Sequence, residues 1–163
     1  MTMQFTVGQR IVHPKYGLGI INRIESTELL GQKARCLKIH FPQNNTNILV
    51  PLEHASNLNM RSPMSLDDVK EVYDGLKRRA RTLSKLRPRE RVKIYKPIVE
   101  RGRPIDLVSV IRDLGRFGQV KRLTDDEHEM LETAMETLAR EVALAQGREA
   151  PAVRREIEAV IDR

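Results

Sequence analysis

A chain of 163 residues, 40% apolar and 31% charged, has room for one ordinary domain or two small ones and the composition of a globular protein, which excludes disorder throughout. Three Phe, three Tyr and no Trp leave the core to aliphatic residues, and the single Cys36 excludes an internal disulfide and fits a reducing compartment. The net charge of +7 is uneven: residues 77–103 hold twelve basic and two acidic side chains, more than the whole excess, in a local field that favours a polyanion.

No apolar run approaches the ~20 residues that a membrane span requires. The opening MTMQFTVGQR has neither the apolar stretch nor the small-residue cleavage site of an export signal, so a cytoplasmic protein without membrane contact is expected. Up to about residue 60 the pattern is strand-like: FTVGQRIVH, GIINRIE, KARCLKIHF and NILVP are short segments rich in Val and Ile. Turn signals separate them at Val7-Gly8, His13-Pro14, Tyr16-Gly17, Leu30-Gly31 and Pro42 to Asn45. Four or five strands with such short connections bury their apolar faces by curling into a small SH3-like or Tudor-like barrel.

Beyond Pro63 the period becomes helical. Ser65 caps a helix with a stripe of Leu66, Val69, Tyr73 and Leu76, and Asp67 and Asp68 suit its first turn. A second helix runs from Pro88 to about Arg101, with a kink or early end expected at Pro97. Pro104 opens a third, with Ile105, Val108, Ile111 and Leu114 as its stripe. Thr124 and Glu127 form a capping box before a long helix lined by Leu131, Ala134, Leu138, Val142 and Ala145 and ending near Gly147. A last helix, Pro151 to Ile161, carries Val153, Ile157 and Val160. The fold class is therefore α+β: a small β-barrel over residues 1–61 and an all-α bundle of about five helices over residues 62–163.

No catalytic set emerges from these residues, and no cofactor is expected. His13, His40, His54 and His128 stand singly without metal-ligand spacing, Gly17-Leu18-Gly19 is a turn between strands, and Asp125, Asp126, Glu127 and Glu129 sit where a helix N-terminus favours negative charge. Two binding surfaces remain. One is the exposed edge of a small sheet, a template for strand addition. The other is KRRARTLSKLRPRERVKIYK, residues 77–96, whose ten basic side chains suit sequence-independent contacts with phosphates.

The ordered set FTVGQRIVHPKYGLGIINRIE, ELLGQKARCLKIHF, NILVPLEHASNLNMR, GRPIDLVSVIRDLGRF and LTDDEHEMLETAMETLAREVALA resembles the CarD/CdnL bacterial transcription regulators over nearly the whole chain. Their N-terminal module is shared with the transcription-repair coupling factor. The resemblance implies a Tudor-like domain that binds the RNA polymerase β subunit by strand addition, and a monomer whose helical domain touches promoter DNA without base-specific recognition and stabilises the open complex. It assigns polymerase contact to residues 34–51, in particular Arg35, Leu37, Ile39, Ile48, Leu49, Val50 and Pro51. DNA contact falls to Arg79, Arg81, Lys85, Leu86, Arg87, Arg89, Arg91 and Lys93.

Three departures from the family pattern stand out. This chain lacks the Trp that members wedge into the minor groove, roughly at Leu86 to Pro88, so the wedge is either absent or replaced by an apolar side chain such as Leu86. A basic residue before the Met-Leu pair is His128-Glu129 here, and an Arg before Val50-Pro51 is replaced by Ile48 and Leu49. Two other readings follow: an adaptor or competitor on polymerase with weak or no DNA activity, and a stand-alone RNA- or ribosome-binding protein.

Overall fold

The computed structural model describes residues 4–13, 15–58 and 60–163. Pro14 of the expected His13-Pro14 turn, and residues 1–3 of the stretch read for a leader, lie outside them. The chain divides into two compact units, Met1–Pro63 and Met64–Arg163.

In the first unit, strands β1 (Arg10–His13), β2 (Gly17–Leu29), β3 (Gln32–Phe41) and β4 (Thr46–Pro51) form one antiparallel sheet in sequence order. A short helix, α1 (Leu52–Ala55), and a 3-10 turn (Ser56–Leu58) follow β4. The chain then returns to β1, where Val12 and Arg61 exchange backbone hydrogen bonds of 2.6 and 3.0 Å. That bridge occupies part of the outer edge of β1 and curls the sheet around Ile11, Ile21, Leu37, Ile39, Phe41, Val50, Ala55 and Met60. Gly19 is required inside this curl, because a Cβ there would stand 2.7 Å from the Phe41 ring.

The β2–β3 hairpin is longer than the apolar runs suggest, and its turn is Leu30-Gly31. Both residues have positive φ, 51° and 81°, as a two-residue type I′ connection demands. A leucine is costly there because its Cβ crowds the following carbonyl. Its side chain is fully exposed and recovers nothing by packing. Leu30→Asn should therefore stabilise the first unit by about 1 kcal/mol, read as a higher thermal midpoint; a lower one would mean that Leu30 makes a contact worth more than the strain.

The second unit contains α2 (Leu66–Lys77), α3 (Pro88–Arg101), α4 (Pro104–Val120), α5 (Asp125–Gln146) and α6 (Ala150–Ile161). Two capping boxes open helices at the expected residues: Ser65 with Asp68, and Thr124 with Glu127. Gly102 and Gly147 end α3 and α5 in the left-handed conformation. Helix α3 ends at Arg101 as expected and continues through Pro97, which does not end it early. Pro97 is exposed and the helix has only a turn left, so the lost backbone bond is solvated.

The buried stripes are shifted by a residue or two from the expected ones. Helix α2 buries Val69, Val72, Gly75 and Leu76 while Leu66 stays exposed. Helix α4 buries Leu107, Val108, Val110, Ile111 and Leu114, and leaves Ile105 at the surface. On α5, Met130, Met135 and Ala139 join Ala134, Leu138 and Val142, while Leu131 and Ala145 are half-buried. Helix α6 contributes Val153, Ile157 and Ile161.

Candidate functional site

The basic segment spans the end of α2, the irregular stretch 78–87 and α3. A stretch of this length without regular structure owes its shape to what holds its backbone. Leu83 is buried in the helical core, and Leu86 packs against it. Asp113 of α4, also buried, accepts from the Arg81 backbone N–H at 3.0 Å, Arg112 Nε at 2.9 Å and the Tyr95 hydroxyl at 2.7 Å. Burial, and then the bond to Asp113, push the Tyr95 phenol well above its ordinary value. Arg116 donates to the carbonyls of Leu76 at 2.9 Å and Arg78 at 2.5 Å.

A second anchor is an ion pair in the interior. Arg91 of α3 donates Nε to Glu127 of α5 and Nη1 to the Leu86 carbonyl, and its guanidinium lies 4.5 Å from the Phe117 ring centroid. Arg91 is 6% exposed and Glu127 is 0% exposed. Burial alone would raise the Glu127 carboxyl, but hydrogen bonds from Arg91 and from the Thr124 N–H outweigh it and hold the group below its ordinary value. The capping carboxylate of α5 thus also ties α3 to α5.

This geometry corrects one of the expected DNA contacts, Arg91, and leaves Leu86 partly exposed. Arg91 is inside the protein and engaged there. Leu86 is half-buried against the core, since the bond from Arg91 to its carbonyl draws that turn inward. Arg79, Arg81, Lys85, Arg87, Arg89 and Lys93 are exposed, and among the described residues no carboxylate lies within ion-pair distance of their side-chain nitrogens. Lys96, not among the expected contacts, is likewise exposed. Arg89, Lys93 and Lys96 share one face of α3 at i, i+4 and i+7, while Arg91, Tyr95 and Ile98 share the opposite, inward one. The inward spacing was the signal by which Arg91 could have been recognised.

In the sheet, β3 is paired on both sides and β4 on one. Leu37, Ile39 and Val50 point into the core, being 0%, 0% and 4% exposed, and the backbone of Leu37 and Ile39 is flanked by strands on either side. A partner strand therefore cannot pair with Leu37 or Ile39, which the resemblance had assigned to the polymerase-facing edge. Among the described residues the outer edge of β4 has no neighbouring strand. Leu49 is exposed on it, Ile48 and Pro51 are half-buried, and Arg35 is exposed on β3 toward the hairpin end.

Residues 5–63 match the family model described as the CarD-like/TRCF RID domain, and residues 71–158 match that described as the CarD, C-terminal domain. The chain belongs to the CarD family. A relative in Bacillus subtilis (strain 168), "Putative transcription factor YdeB", is 28% identical over 143 residues, covering 88% of this chain and 93% of that protein. The CarD family is one of transcription regulators rather than enzymes, and its N-terminal module is of the polymerase-interacting class shared with the transcription-repair coupling factor. No helix among the described residues is long and apolar enough to cross a membrane.

Proposed function

We propose that this CarD-family protein docks on the β subunit of RNA polymerase by adding a strand at β4, and rests the outward face of α3 and residues 79–87 before it on promoter DNA. Backbone pairing at an open edge gives affinity through main-chain hydrogen bonds, with Leu49 and Ile48 beside it for apolar contact. Tethering raises the local concentration of the helical unit at the duplex, so contacts with phosphates suffice without base recognition. Holding the upstream duplex in this way stabilises the open complex.

The observation that carries the reading is the row of Arg79, Arg81, Lys85, Arg87, Arg89, Lys93 and Lys96, exposed and, among the described residues, with no carboxylate paired to their side-chain cations. Because Arg91 is committed to Glu127, the informative charge reversal is Arg89→Glu with Lys93→Glu. This variant should bind polymerase as wild type does and shorten promoter-complex lifetime. Its DNA affinity should lose about two units of salt slope, roughly one per phosphate contact. Unchanged lifetimes across low and moderate salt would sink the DNA half of the proposal.

The inward packing of Leu86 and the absence of Trp favour a second reading, an adaptor on polymerase with little DNA activity. A flat salt dependence for wild-type DNA binding would select it. Cysteine crosslinking from Leu49 tests docking independently: products with polymerase β are expected, and products with ribosomal proteins instead would overturn it.

A further inference from the structure

A cavity of about 430 Å³ lies between α2, the end of α3 and the start of α4, and it collects arginines from each of these places. Arg78 follows α2, Arg101 is the last residue of α3, Arg103 precedes α4, and Arg112 stands on its third turn. Glu71 and Asp106 are the carboxylates of its wall, so the lining keeps a surplus of positive charge. Ile98, Ile105 and Val108 give it an apolar side.

Two of the four arginines already have partners. Arg112 donates Nε to Asp113 at 2.9 Å and Nη1 to the Gly75 carbonyl at 3.3 Å, which fixes it as a rigid part of the wall. Arg103 lies 3.4 Å from Asp106. Neither guanidinium of Arg78 and Arg101 has a hydrogen bond or ion pair among the described residues. Gly75 lets the walls come together: a Cβ there would stand 2.8 Å from Val108 Cγ1, so a larger residue would push α2 off α4.

We propose that this cavity binds a small oligophosphate, as free pyrophosphate or triphosphate or as the phosphate tail of a nucleotide. Arg78 and Arg101 supply forked donors that match adjacent phosphoryl oxygens, and the immobilised Arg112 supplies a donor whose ordering is already complete. The volume falls within the ~300–1,000 Å³ usual for small-molecule sites. The site is offset from the α3 face assigned to DNA, since Ile98 and Arg101 lie roughly 80–180° around that helix from Arg89, Lys93 and Lys96.

The test is calorimetric titration of the full chain with inorganic tripolyphosphate and, in a second arm, with GTP. Saturable binding is expected, and Arg78→Ala with Arg101→Ala should weaken it roughly tenfold or more without lowering the thermal midpoint or the affinity for duplex DNA. Arg89→Glu with Lys93→Glu should leave it unchanged. Tighter binding of GTP than of tripolyphosphate identifies a nucleotide as the source, and equal binding identifies phosphate groups alone. Absence of saturable binding, or affinity unaltered by the two alanines, overturns the site. An equal loss of duplex affinity in the alanine variant also overturns it, because the arginines would then belong to the DNA face.

Discussion

Arg91→Ala should cost the helical unit about 3–5 kcal/mol, the usual penalty for stranding one member of a buried ion pair. Glu127 would remain fully buried with only Thr124 to stabilise its charge, and the Leu86 carbonyl would lose its donor. For a unit of this size the thermal midpoint should fall by more than about 10 °C. Replacing both partners, Arg91→Met with Glu127→Leu, should restore much of the loss, because no charge is then left in the interior. A deficit below about 1 kcal/mol in the single variant would show that the pair behaves like an exposed one.

The pair also sets an acid limit. The carboxyl of Glu127 is held below its ordinary value in the folded chain, so the unfolded chain takes up its proton first as pH falls. The stabilisation is complete above the unfolded-state value and is lost as pH drops through the folded one. Urea midpoints of wild type and of Arg91→Ala should therefore converge on acidification below about pH 4. Parallel midpoints down to strongly acidic pH would contradict this assignment.

Asp113→Ala is expected to cost about 3 kcal/mol or more, since three donors lose one acceptor. The Arg81 N–H and the Tyr95 hydroxyl have no other partner among the described residues. Tyr95→Phe removes one of those bonds and should cost only about 1 kcal/mol. The two variants should differ in dynamics as well. With Asp113 gone the stretch 78–87 loses the contact that holds its middle, and trypsin should cut there much faster, at Arg79 and Arg81. If Asp113→Ala is no worse than Tyr95→Phe in stability and in protease resistance, Asp113 does not organise the segment.

Both variants act on parts of the molecule that the linear pattern described incompletely. The capping boxes at Ser65 and Thr124 are legible because each joins residues three apart, and a helix start has few alternatives. The Leu30-Gly31 turn is legible for the same local reason, although the hairpin extends further than its apolar residues, which mark only the part that reaches the core. Residues 34–51 were a weaker case. Alternation identifies a strand and its buried face, but a strand's neighbours are set by the order in which strands pair. Leu37 and Ile39 therefore fell on an interior strand, and within residues 34–51 the open edge belongs to β4.

Local spacing was thus enough to establish the order of strands before helices, the caps and turns, and the concentration of positive charge between residues 77 and 103, because each depends on neighbours within a few positions. Which cations face water was settled by folding. Arg91 and Glu127 are 36 residues apart, and Arg81 and Asp113 are 32 apart. Such partners meet only when α3, α4 and α5 pack, and a one-dimensional count assigns an arginine the same charge whether it ends in solvent or beside a buried carboxylate.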